Sequence, residues 1–500
     1  MKKIIISRFF LYRHRFVIGY IVLMAAFIAL LFTLPLIAQD GLSEMEMDSA
    51  TNSYHLSADA AINGNLVDLP YRILQKLSIR VFGLTTYAIK LPSIIVGLIL
   101  GILLILLLNR WFKNNVSLLA SCLVVLSTPF LFLAGSGTPL IMLVFWPTLL
   151  LWLGSKIQGE KRPKPMYSFL FAIALAFAIF TPYMLYFAAF CVVFVLLQPH
   201  LRFVLRSLPK LPLMLTGLII LAGMSALIIN MINQPVVIKE LLLSPNFEGQ
   251  NFIPNFMSGM TPAFQWFGES STIFLAPLIA LPVLALALVG LLSTTKGFFA
   301  SRNSIASLLT IFAIIITGLN PQAVVFLILP LSILTAHGLK YLLEKWYGLF
   351  PENPYARVAA LLPLTILFGI IIIPGLLQYV HGYHYNSKVA SQFDYSLDII
   401  HQNLTDETLI VEKNYDFYKI LEDSTAIEVV KNLEDADTDR RAVLKTQAYN
   451  EDYILSRIIT SPMKENSDII YLYTVKGEEN GTDNRPNEND QPATQSSEGA

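Results

Sequence analysis

The chain has 500 residues and a formal net charge of zero, with 55% hydrophobic and 14% charged residues. Soluble globular chains carry about 25% charged residues. The composition therefore excludes an ordinary soluble enzyme and points to an integral membrane protein, with no basic excess to suggest a nucleic-acid partner.

A basic N-terminus (Lys2, Lys3, Arg8, Arg13, Arg15) precedes an apolar stretch at 16–38. That stretch is too long for a signal-peptide core and lacks a convincing cleavage site, so it reads as a retained first span. At about 20 apolar residues per crossing, further spans are predicted near 87–108, 116–134, 139–157, 168–181, 183–197, 211–231, 271–293, 303–318, 322–338 and 356–378. Thr181-Pro182-Tyr183 splits one long apolar run into two short helices, and Asn320-Pro321 splits another. The expected architecture is an all-α polytopic membrane domain over 1–380 with about eleven transmembrane helices.

Charge orients the spans. With the N-terminus in the cytoplasm the inner loops are short and basic, and the outer turns 135–138 and 319–321 carry no charge, as the positive-inside rule requires. The first outer loop is the exception, with Arg72, Lys76, Arg80 and, at the next helix entry, Lys90. Cations placed against an otherwise obeyed rule suggest work for them. The substantial outer segments are 39–86, 232–270 and 381–500. No GxxxxGK[ST] phosphate loop is present, so chemistry is expected at the outer interface without nucleotide.

The first outer loop opens Gly41-Leu-Ser-Glu-Met-Glu-Met-Asp48. On a helix, Glu44 and Asp48 share a face and Glu46 points elsewhere. A carboxylate here can take a proton from an attacking hydroxyl or hold a divalent cation; the plain alternative is an acidic turn capping a membrane helix. Metal and cofactor are left open. Pro70 and Gly83 then bracket a helix with Asp68 as its cap. Ile73, Leu74, Leu77, Val81 and Phe82 form its apolar face, and Arg72, Lys76 and Arg80 a basic stripe at a spacing of four. Such a helix lies in the membrane plane. Its cations suit anionic headgroups or a lipid-linked phosphate. In 232–270, Glu248, Asn251, Trp266 and Glu269 suit a loop that contacts donor or acceptor, and equally an interfacial aromatic belt. His381 and His384 make an incomplete metal-ligand set, and Cys122 and Cys191 have no spacing partner.

Residues 381–476 read as a small extracytoplasmic α/β domain, with strands at 408–412, 427–431 and 468–475 and a helix at 415–421. The tail 477–500 is low in complexity and expected to be disordered.

The order of these parts resembles the GT-C class of membrane glycosyltransferases, in the branch holding protein O-mannosyltransferases and lipid A aminoarabinose transferases. Gly41-Leu-Ser-Glu-Met-Glu46 looks like that family's Gly-Leu-Thr-Pro-Asp-Glu pattern. Leu69-Pro-Tyr-Arg-Ile-Leu-Gln-Lys-Leu-Ser-Ile-Arg-Val-Phe-Gly83 looks like its amphipathic outer helix. Ala88-Ile-Lys-Leu-Pro-Ser-Ile-Ile-Val-Gly97, Asn109-Arg-Trp-Phe112 and Pro321-Gln-Ala-Val-Val-Phe-Leu-Ile-Leu-Pro330 are similar to later pieces. The family usually has an Arg and an Asp in the second outer turn. Here that turn reads Ala134-Gly-Ser-Gly-Thr-Pro-Leu140, and Gln322 stands near where an Arg often precedes the late span.

The resemblance implies a hexosyl- or pentosyltransferase. It would move a sugar from a polyprenyl-phosphate donor to a lipid, glycan or protein outside the cytoplasmic membrane, by inverting displacement. Glu46 would act on the acceptor hydroxyl, with Glu44 and Asp48 as alternates, and Arg72, Lys76 and Arg80 would neutralise the departing phosphate. A transporter or flippase for a lipid-linked glycan, and a non-catalytic scaffold on the same fold, are the competing expectations.

Overall fold

The computed structural model describes residues 13–37, 41–56, 65–159, 165–207, 209–243, 252–264, 280–295, 297, 300–349, 361–385, 389, 391–404, 408–411, 413–431, 440–444, 453–460 and 469–475. Two compact units divide the chain, Met1–Asp398 and Ile399–Ala500.

The first unit is helical, and an apolar helix lies in every stretch where a span is predicted. Among the described residues six helices are long and apolar enough to cross a bilayer alone: Arg15–Pro35, Thr86–Trp111, Pro139–Gln158, Lys210–Asn233, Ser301–Leu319 and Pro321–Leu349. Pro165–Ala178, Leu281–Thr295 and Ile366–His381 are shorter apolar helices. Two more candidates are bent pairs, Asn114–Val125 with Thr128–Gly135 at 57° and Met184–Leu197 with Pro199–Arg206 at 97°. The stretch 116–134, predicted as one span, is thus bent within its length. Pro129 removes a backbone donor and disfavours helix at the residue before it.

Leu211, Met214, Leu218 and Leu221 on Lys210–Asn233 are exposed, a contiguous apolar surface of the kind that faces lipid. Where helices meet each other, small residues let backbones touch. A Cβ added at Gly290 would lie 2.0 Å from the Leu334 carbonyl oxygen, and one at Gly338 2.0 Å from that of Leu286. Both helices are therefore pressed together through glycine. Because the obstacle is backbone, no rotamer change can relieve it. Gly290→Val or Gly338→Val is expected to destabilise the protein by on the order of 3 kcal/mol, read as a lower melting temperature and folded yield in detergent. Unchanged melting in both variants would contradict this crossing.

Both predicted helix breaks are present. Tyr183 adopts φ 64, and its N–H leaves the helix to donate to Leu241 O at 2.9 Å. At the second break, Asn320 Oδ1 accepts from Gln322 N at 3.0 Å just before Pro321 opens the 3-10 turn Pro321–Leu327. An aromatic cluster ties the two breaks together: Phe312 packs on Phe326 at 5.3 Å and on Phe187 at 6.0 Å between centroids. A short antiparallel pair, β1 (Leu42–Ser43) with β2 (Phe393–Asp394), closes the first loop.

The second unit carries β3 (Thr408–Ile410), β4 (Val429–Val430), β5 (Arg440–Leu444), β6 (Tyr453–Thr460) and β7 (Ile469–Val475). They form one sheet in the order β4-β3-β5-β7-β6. The β3 strand runs parallel to β4 and β5, while β7 is antiparallel to β5 and β6. The strands β5 and β6 are additions to the sequence expectation. The run Tyr453-Ile-Leu-Ser-Arg-Ile-Ile-Thr460 carries the β-branched and aromatic signal that marks such a strand. The tail 477–500 lies outside the described residues.

Candidate functional site

The first loop forms the helix Glu44–Tyr54, started by a capping box. Ser43 N and Oγ donate to Glu46 Oε2 at 2.7 and 2.9 Å, and Ser43 Oγ accepts from Glu46 N at 3.4 Å. The other carboxylate oxygen, Oε1, accepts from Gly137 N at 2.7 Å and lies 3.9 Å from Lys90 Nζ. Lys90 in turn donates to Gly41 O at 2.6 Å. Glu46 and Lys90 are both buried, so this is an internal ion pair with its hydrogen bonds made.

A second hub stands beside it. Gln75, buried on the inner face of the amphipathic helix Leu69–Phe82, accepts through Oε1 from Ser49 Oγ at 2.8 Å and Ser53 Oγ at 2.7 Å. Its Nε2 donates to Gly137 O at 2.9 Å and Ile89 O at 3.2 Å. Gly137 is thus gripped through both its N–H and its carbonyl. A Cβ there would sit 3.0 Å from Ile89 O, so the turn needs glycine for this close approach. The uncharged second turn is held by its backbone rather than by the Arg and Asp that the resembled pattern carries.

Beside this block the turns at one end of the helical unit line an open cavity of about 280 Å³. Its charged lining residues are Asp48, Asp68 and Arg72; Met45, Ser49, Asn52, Thr138, Thr181, Tyr183, Asn320 and Gln322 complete the polar and sulfur-bearing wall. Segments predicted to be outer loops or turns therefore meet in one place: the first loop, the turn at 135–138, the break at 181–183 and the break at 320–322. Had either break been a continuous span, the later turn would stand at the opposite end.

Arg72 Nη1 donates to Asn65 O at 3.0 Å, and Asn65 Nδ2 donates to Glu240 Oε2. Burial pushes the Arg72 guanidinium below its ordinary range, opposed by the charges of Asp68 and Glu240. The Asp68 carboxyl is pushed up to about 7 by burial; Arg72 lowers it and Glu240 raises it. Asp48 is also raised, first by partial burial and then by Glu44.

Of the residues singled out from the sequence, Asp48 and Arg72 enter the cavity. Glu46 is a buried strut outside its lining, and Glu44 is exposed and touches the cavity only through its charge on Asp48. The three cations of the basic stripe have different surroundings. Lys76 Nζ donates to Tyr54 O at 3.1 Å and to Leu56 O, pinning the end of Glu44–Tyr54, while Arg80 is exposed and lines nothing in the cavity. The predicted apolar face, Ile73, Leu74, Leu77, Val81 and Phe82, is exposed, as a membrane-plane helix requires. Glu248, Asn251, Trp266 and Glu269 lie outside the described residues. His381 is exposed beside the Tyr385 ring at 5.5 Å. Among the described residues no three His, Cys, Asp or Glu side chains gather as a metal site would need.

Asp68 is the cavity residue that sequence reasoning assigned to another job. It occupies the N-cap position, yet at φ 56 its side chain makes no bond to the helix. Aspartate is among the few residues that tolerate this left-handed region, which is the one sequence signal available.

A family model described as dolichyl-phosphate-mannose-protein mannosyltransferase matches residues 70–226. No curated protein matches the chain. Among solved structures, ArnT from Cupriavidus metallidurans bound to undecaprenyl phosphate aligns at TM-score 0.52 and 13% identity, covering 92% of this chain and 98% of that one. Its apo form aligns at TM-score 0.51 and 14% identity over the same shares. The apo oligosaccharyltransferase of Archaeoglobus fulgidus aligns at TM-score 0.52 and 11% identity, over 85% of this chain and 65% of its own length. At such identities the likeness is one of fold. The arrangement of its helices is therefore the GT-C fold that these structures share.

Proposed function

We propose that the protein transfers a sugar from a polyprenyl-phosphate-linked donor to an acceptor on the outer face of the cytoplasmic membrane. The observation that carries this reading is a carboxylate and a guanidinium, Asp48 and Arg72, lining one cavity beside an amphipathic helix with an exposed apolar face. Such a helix supports a cavity at the bilayer edge, where a prenyl chain stays in lipid while its phosphate head reaches protein. The ArnT structure that shares the fold holds undecaprenyl phosphate, which supports a lipid phosphate as the ligand here.

The chemistry is an in-line displacement. An acceptor oxygen attacks the anomeric carbon, the bond from that carbon to the phosphate oxygen breaks, and the electron pair leaves with the phosphate. Asp48 takes the acceptor's proton as the new bond forms. Arg72 faces the charge that grows on the leaving phosphate, where a preorganised cation stabilises the transition state more than the ground state. Glu46 acts on neither atom. It holds Lys90 and Gly137, the residue next to the cavity-lining Thr138.

The test is direct. Purified protein in nanodiscs is incubated with a polyprenyl-phosphate sugar and envelope lipid, and released polyprenyl phosphate is measured. Arg72→Met is expected to weaken binding of polyprenyl phosphate about 10- to 100-fold, the range for hydrogen bonds to a charged group. Wild-type affinity in Arg72→Met removes that residue from the phosphate site. A binding scaffold without turnover is the second reading. It is favoured by the uncharged second turn and by Met45, a cavity residue where the resembled pattern has Asp. Tight polyprenyl-phosphate binding with no release of phosphate from any donor would select it.

A further inference from the structure

The position of Asp68 is set by its main chain alone. Its N–H donates to Phe180 O at 2.8 Å and its carbonyl accepts from Arg72 N at 3.0 Å, which leaves the side chain to the cavity. Oδ1 is buried and has no hydrogen-bond partner among the described residues. A buried oxygen without a partner is uncommon in folded proteins, and one on a cavity wall points to a ligand. Arg72 does not supply that partner; its Nη1 donates to Asn65 O. Among the described residues the ion pairs are Lys90 with Glu46 and Lys340 with Glu344, so none joins Asp68 to Arg72.

We propose that Asp68 binds the ring hydroxyl next to the anomeric carbon of the donor sugar, and that the donor therefore carries a free 2-hydroxyl. The proposal rests on the transferase reading, in which Arg72 takes the phosphate. The sugar is joined to that phosphate through its anomeric carbon, so the hydroxyl one carbon away is the sugar group nearest Arg72. Asp68 stands one helical turn before Arg72 on the same cavity wall. A carboxyl there accepts from a sugar hydroxyl in either state of ionisation, and Asp48 remains for the acceptor's proton.

The experiment uses the full chain in nanodiscs and three probes: polyprenyl phosphate, a polyprenyl-phosphate hexose and its 2-deoxy analogue. The wild type is expected to bind the hexose donor about tenfold more tightly than the 2-deoxy donor. Asp68→Gly suits the left-handed backbone, so folding is retained and is checked by melting temperature. That variant is expected to lose the tenfold discrimination while binding bare polyprenyl phosphate as tightly as the wild type or more so. Asp68→Asn, which also tolerates this backbone, is expected to keep part of the discrimination. Equal affinity of the wild type for both donors overturns the proposal. So does an Asp68→Gly variant that loses bare phosphate and both donors alike, because Asp68 would then only position Arg72. A wild type that binds no polyprenyl phosphate at all overturns the transferase reading, and this inference with it.

Discussion

Asp48→Asn is expected to lower sugar transfer by about 10²- to 10⁴-fold, the usual contribution of a positioned general base, while donor affinity changes little. The expectation follows from where the helix Glu44–Tyr54 points its side chains. Asp48 lines the cavity, and its carboxyl is raised by partial burial and by Glu44, which makes it a better proton acceptor than a free aspartate. Asparagine keeps the size and loses only the basicity. Because the folded carboxyl titrates above its ordinary value, transfer should fall on acidification at a higher pH than for a fully solvated aspartate. Glu44→Gln removes the second cause of that shift, so the acid limb of its rate profile should move down while the plateau rate stays close to wild type. Single-turnover release of polyprenyl phosphate across pH reads both effects. An Asp48→Asn enzyme working at the wild-type rate would end the assignment.

Glu46→Ala should cost stability, by about 3–5 kcal/mol, the range for breaking a buried ion pair from one side. The substitution removes the carboxylate that Lys90, the Gly137 N–H and the Ser43 cap share. Glu46→Gln can keep a bond to Gly137 N but takes the Glu46 charge away from the buried Lys90. Removing the Lys90 charge as well, in Glu46→Gln with Lys90→Met, should recover part of the loss, as coupled sites do. Unfolding in detergent measures the four proteins. A Glu46→Gln variant with full stability and no transfer would return Glu46 to the chemistry.

This division of labour between Glu46 and Asp48, two residues apart in the same short helix, shows what a sequence can and cannot say. Helical periodicity alone puts Glu44 and Asp48 on one face and Glu46 on another, and the structure agrees. The family pattern instead singles out Glu46, and nothing local shows that it is spoken for. Its decisive partner, the Gly137 N–H, lies 91 residues away. The basic stripe has the same lesson. A spacing of four is a true statement about the helix Leu69–Phe82, yet Arg72, Lys76 and Arg80 meet a cavity, two backbone carbonyls and open surface respectively.

Apolar run length, proline breaks and the amphipathic period of 69–82 were determined by the sequence, because each depends on neighbours within a few turns of chain. Tertiary structure alone decided which carboxylates face the cavity, which one is locked in a strut, and that Asp68 leaves its cap for the cavity wall. The reason is physical: the state of a charge in a low-dielectric interior is set by the groups packed around it, and those arrive from distant parts of the chain.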